Sequence, residues 1–147
     1  MCAGERMRSG PAHRNGKFLS SWGEPGKTAP NQLHLPHSLL VHEGHVYVCD
    51  RENHRIQIFT ADGQPVTMWT DVQQPMDISI DPEGVFYVSE GRAGGPSARI
   101  SVLDKNGAVL ARFDCRGSGH GSWVDVHGDI YLGVGDPGGI DKYVRQG

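Results

Sequence analysis

Eight histidines in 147 residues are a high count, and two of them share one place in an internal repeat. His37 follows a proline in Leu35-Pro36-His37-Ser38-Leu39, and His120 sits between glycines in Gly119-His120-Gly121-Ser122-Trp123. The copy between them reads Gln74-Pro75-Met76-Asp77-Ile78 and puts Met76 at that place. A neutral imidazole is the commonest metal ligand, and a catalytic zinc keeps three protein ligands and one open position. His37 and His120 are therefore candidate metal ligands in alternate repeats. The third would lie two repeats of roughly 40 residues upstream, before Met1. The competing reading makes both of them turn histidines without a metal. His34, His42, His45, His54 and His127 read as solvated loop residues.

The elements that must position these side chains repeat visibly. Tyr47, Tyr87 and Tyr131 recur at intervals of 40 and 44, each inside an alternating strand: His45–Asp50, Val85–Glu90 and Asp129–Gly133. A basic residue opens the next strand at Arg55, Arg99 and Lys142. Asp62-Gly63 and Asn106-Gly107 supply the positive φ angles of tight hairpins, as Asn15-Gly16 does earlier. Outer strands follow at Lys17–Trp22, Val66–Trp69 and Ala108–Phe113, and inner strands precede the tyrosines at Ser38–Val41, Met76–Ile80 and Trp123–Val126. No window of helical length shows a 3.6 period. Four short strands per repeat of this length predict an all-β fold, a β-propeller of four-stranded blades. About three blades fill residues 15–147, and 1–14 reads as a disordered or non-native start.

Composition narrows the function. Fourteen basic against 17 acidic residues, scattered along the chain for a net charge of −3, give no footprint for nucleic acid or an anionic membrane. No apolar run is long enough to span a bilayer, and Met1–Gly16 has no apolar signal-peptide segment, so the expected location is cytoplasmic as written, or secreted or periplasmic if an upstream signal is missing. Cys2, Cys49 and Cys115 match neither a zinc knuckle nor a disulfide framework and read as reduced thiols.

The run Asp50-Arg51-Glu52-Asn53-His54-Arg55-Ile56-Gln57-Ile58-Phe59 resembles the NHL repeat, a propeller family usually built with six blades. About three blades are then half of such a ring, and half a ring leaves two open edges. Either the chain is the C-terminal part of a longer one, or two copies form a homodimer that closes the six-bladed ring. In a six-bladed ring, alternate blades are 120° apart, so His37 and His120 would be two legs of a tripod.

Leu35-Pro36-His37-Ser38-Leu39-Leu40-Val41 with Val46-Tyr47-Val48-Cys49-Asp50-Arg51-Glu52-Asn53, and Gly16–Glu24 before them, are similar to the lyase domain of the peptidylglycine α-amidating enzymes. That resemblance implies His37 as a zinc ligand, His120 as the match to the last zinc ligand, and Arg51 as an active-site residue. It implies a zinc-assisted cleavage of the C–N bond of a C-terminal α-hydroxyglycine on a peptide or small amide-type substrate, giving the amide and glyoxylate. The family's structural calcium uses a carboxylate where this chain has Gly121, and its catalytic tyrosine belongs to the blade before His37. A non-catalytic NHL module that binds a protein partner remains the alternative.

Overall fold

The structure, a computed structural model, describes residues 16–91 and 98–146. The expected start at 1–14, with Cys2, lies outside the described residues. Two short strands, β1 (Glu24–Pro25) and β2 (Gln32–Leu33), pair in parallel. Sheet I follows as β3 (Pro36–His42), β4 (His45–Asp50), β5 (Arg55–Thr60) and β6 (Pro65–Trp69). Sheet II is β7 (Pro75–Ile80), β8 (Phe86–Glu90), β9 (Arg99–Leu103) and β10 (Val109–Asp114). Sheet III has three strands, β11 (Gly119–Val124), β12 (Ile130–Val134) and β13 (Gly139–Tyr143). Each is an antiparallel meander in chain order, the architecture of propeller blades. One 3-10 turn, Arg51–Asn53, joins β4 to β5.

The turn chemistry repeats with the blades. The Oδ1 atom of Asp81 accepts the backbone N–H groups of Glu83 and Val85, and the same atoms of Asp104 and Asp125 close their turns in the same way. Gly63 and Gly107 take φ near +80° at the hairpins leading to the outer strands. A Cβ at Gly63 would meet the Trp22 ring at 2.6 Å, and one at Gly107 would meet the Trp69 ring at 2.3 Å. Each glycine thus seats the tryptophan that precedes its blade, as well as permitting the turn.

Inner strands β3, β7 and β11 lie side by side, and the sheets stack face to face. Tyr47, Cys49, Ile56 and Trp69 of sheet I meet Ile78, Phe86 and Val88 of sheet II, with ring centroids 4.9 to 5.5 Å apart among Tyr47, Trp69 and Phe86. Tyr87, Ile100 and Cys115 meet Ile130, Leu132 and Val134 of sheet III. Each such side chain taken out of water contributes roughly 1.5–3 kcal/mol.

The acid that ends β4 is the centre of a buried polar cluster. Asp50 accepts from Arg55 Nε at 2.8 Å, Asn53 Nδ2 at 2.8 Å, Gln57 Nε2 at 3.0 Å and the His34 amide at 2.7 Å. Glu90 repeats the device with Arg99 and Ser101. Arg55 and Arg99, the basic residues that open β5 and β9, are therefore the counter-ions of the acids that end β4 and β8, whereas Lys142 pairs with Asp129 instead.

Three expected strands move. Lys17–Trp22 is extended but unpaired, because among the described residues no inner strand of its own blade precedes it. The third inner strand lies at Gly119–Val124 rather than Trp123–Val126, since Asp125 belongs to the turn. The last strand is Gly139–Tyr143 rather than Lys142–Val144.

Candidate functional site

Each inner strand carries an irregularity at one phase. Pairing jumps from Pro36↔Asp50 to Leu39↔Val48, from Pro75↔Glu90 to Asp77↔Ser89, and from Gly119↔Val134 to Ser122↔Leu132. His37 with Ser38, Met76 alone, and His120 with Gly121 are the residues left out of register. A bulge releases a residue from the pleat and re-aims its side chain. Here that brings two histidines from different blades together, with ring centroids 5.4 Å apart and planes inclined at 47°.

His37 Nδ1 lies 2.7 Å from the Met76 carbonyl oxygen. A carbonyl only accepts, so Nδ1 carries the proton and Nε2 presents its lone pair. A backbone carbonyl in this role is a common orienting partner of metal-ligating histidines. Two imidazoles on one zinc, with Zn–N about 2.0–2.1 Å and tetrahedral geometry, have ring centres roughly 5 Å apart. The observed spacing and the donor type fit an ion held at two points. Among the described residues there is no group of three or more His, Cys, Asp or Glu side chains able to hold a metal.

Asp77, not singled out from the sequence, fixes the strands that carry the pair. Ser38 Oγ donates to its Oδ1 at 2.5 Å, and the Ser122 amide donates to its Oδ2 at 2.8 Å. One carboxylate on β7 therefore ties the residue after His37 to the second residue after His120. Ser89 Oγ adds a bond to the His120 carbonyl at 3.1 Å. The signal in the sequence is its phase, one residue beyond Met76.

Arg51 opens the 3-10 turn, which packs against β3. It follows Asp50, the ladder partner of Pro36, and so stands at the His37 end of sheet I. Its Nε lies 3.3 Å from Glu52 Oε1, an ion pair in which that Nε makes no hydrogen bond. Of the remaining histidines, His34 and His127 lie in turns outside the strands, as expected, and the others differ. His42 and His45 lie on strands, and the His42 ring meets Phe86 edge-on at 6.0 Å. His54, at φ 53°, accepts the Gln74 amide at 3.0 Å and so links two blades.

The NHL repeat family matches residues 33–59. The chain is 33% identical over 112 residues to peptidyl-glycine alpha-amidating monooxygenase A of Xenopus laevis, an alignment that covers 67% of this chain and 12% of that protein. The chain thus spans about an eighth of the length of this relative. Its fold is similar to hydrazine synthase of Kuenenia stuttgartiensis, with a TM-score of 0.59, 17% identity and coverage of 76% of this chain and 32% of that one. It is also similar to virginiamycin B lyase of Staphylococcus aureus, with a TM-score of 0.54, 19% identity and coverage of 76% and 42%.

Proposed function

From a chain that carries an NHL repeat and is related in sequence to the peptidylglycine α-amidating enzymes, we propose an amidating-lyase-type function, centred on His37, His120 and Arg51. The observation that carries it is the convergence of the two out-of-register histidines at 5.4 Å, with His37 Nδ1 committed to the Met76 carbonyl. His37 and His120 would hold a zinc-type ion, which when bound supplies Lewis-acid polarisation of a substrate oxygen.

Arg51 offers the substrate a planar guanidinium, whose Nε lies 3.3 Å from Glu52 Oε1. That fork suits the carboxylate of a C-terminal α-hydroxyglycine. The reaction conserves atoms. The hydroxyl proton leaves, the C–O bond becomes a carbonyl as the C–N bond breaks, and the nitrogen takes a proton, giving a peptide amide and glyoxylate. The residue that takes the hydroxyl proton is not among those placed at the site.

The test is zinc content per chain, by elemental mass spectrometry, for the purified protein and for His37→Ala, with glyoxylate release from an α-hydroxyglycine-terminated peptide measured alongside. Zinc that is present in the parent and lost in His37→Ala supports the reading. Absence of zinc from both overturns it and leaves the protein-binding module.

A further inference from the structure

The stack of sheets ends in a bare face on sheet III and a part-covered one on sheet I, where Leu33 and Trp22 pack on Val46, Val48 and Phe59, and the blades themselves show what such faces normally meet. Call the side of each sheet turned toward the preceding blade its leading face and the other its trailing face. Leu39 and Val41 stand on the leading face of sheet I, at the phase that Ile78 fills in sheet II. Ile78, covered by sheet I, is 4% exposed, whereas Leu39 and Val41 are 61% and 64% exposed. The trailing face of sheet III shows the converse. Ile140 shares the phase of Ile56, which is 0% exposed under sheet II, yet Ile140 is 78% exposed. Trp123 and Tyr131 lie beside it on the same bare side.

Strand pairing is unfinished at the same two ends. Sheets I and II have a fourth, outer strand that brings Trp69 opposite Ile56 and Phe113 opposite Ile100. Among the described residues sheet III has none, so the outer edge of β13 is free. At the other end, residues 17–22 have an outer strand's phase and no sheet to join. Their Trp22 already sits on Gly63 as Trp69 sits on Gly107, where the aromatic of a preceding blade belongs. Phe18 and Leu19 in that segment are exposed.

We propose that the occupant of the trailing face is a second copy of this chain, joined head to tail, whose residues 17–22 add the fourth strand to sheet III. The blade phase gives the register: Trp22 of one copy opposite Ile140 of the other, and Ser20 opposite Lys142. Leu39 and Val41 of the incoming copy then cover Trp123 and Tyr131. Two copies of three blades close a ring of six, and closure by a two-fold leaves no edge to extend.

The decisive measurement is the solution mass of the 147-residue protein by light scattering across a hundredfold concentration range. A particle of twice the 16.0 kDa chain mass is expected. Leu19→Pro and Ser20→Pro, made separately, test the register. Adjacent amides point to opposite sides of a strand, so one of the two variants removes a ladder bond and should raise the dissociation constant at least tenfold. Both positions are exposed and outside the sheets, so the single-chain fold should remain and give an unchanged circular dichroism spectrum. Ser20→Cys with Lys142→Cys, in a Cys2→Ser background, should give a reducible covalent dimer. A monomer throughout the range, a mass that keeps growing, or a dimer indifferent to both prolines and not cross-linked by the cysteine pair would each overturn the proposal.

Discussion

Two arginines four residues apart divide the labour of the motif that carries the family resemblance. Arg55 is buried against Asp50 and also donates to the carbonyls of Ala29 and Gln32. Removing one partner of a buried pair leaves a charge without compensation, so Arg55→Ala should cost about 3–5 kcal/mol in denaturant unfolding. Arg51 is part-exposed and, among the described residues, pairs with Glu52. Arg51→Ala should cost less than about 1 kcal/mol, while abolishing glyoxylate release if its fork binds the substrate carboxylate. Equal stability losses in the two variants would contradict this division. Among the tyrosines, Tyr87 is buried and donates to Asp81 Oδ2 at 3.0 Å. Burial, and then the bond to Asp81, push its hydroxyl up to about 12. The folded state thus keeps a proton that the unfolded chain releases near pH 10, so this contribution is complete below that pH and lost as the pH rises toward 12. Unfolding titrations of Tyr87→Phe should show a shallower alkaline decline than the parent.

At the scale of elements, the hairpin glycines give the sharpest contrast. Gly107 and Gly84 both have φ near +80°, but only Gly107 faces a ring where a Cβ would stand. Gly84→Ala should cost about 1–2 kcal/mol for the left-handed backbone alone, and Gly107→Ala about 2–4 kcal/mol once the displaced Trp69 is added. Calorimetry of the two variants separates strain from packing. The elements themselves were largely legible. β4 and β9 fall where alternation placed them, and Asp62-Gly63 and Asn106-Gly107 mark the turns after β5 and β9. Lys17–Trp22 failed as a strand because alternation describes a strand's faces and not whether a neighbour exists to complete its ladder. Trp123–Val126 failed because Asp125 alternates like a strand residue while its carboxylate caps a turn. The site was half legible. Repeat phase brings His37 and His120 to one place, but the bulges that free them are irregularities of strand pairing, and the Met76 carbonyl that orients His37 and the Asp77 bridge are contacts between blades, none of which a local pattern encodes.

At the scale of the whole molecule, each sheet packs its apolar core only against its neighbours, and sheets I and III meet at the inner rim through the His37 and His120 rings, so the array is held chiefly by two seams in series. Stability in such arrays is a sum of units and nearest-neighbour interfaces, and the ends are the weaker units. Among the described residues, sheet III is bounded on one side only and has one strand fewer than sheets I and II. Hydrogen exchange should therefore find the amides of β12 less protected than those of β8, which lies between two seams. Uniform protection across the three sheets would indicate a single cooperative unit instead.

The two buried cysteines turn that mechanics into something a reagent can read. Cys49 is sealed in the seam between sheets I and II, and Cys115 in the seam between II and III. Burial pushes both thiols above their ordinary range, so neither reacts until its seam parts and water arrives. A slow alkylating agent added to the folded protein, with Cys2→Ser removing the third thiol, then keeps time separately at two addresses. Cys115 should be marked first, and anything that occupies the bare face of sheet III should slow its marking while leaving the pace at Cys49 nearly unchanged.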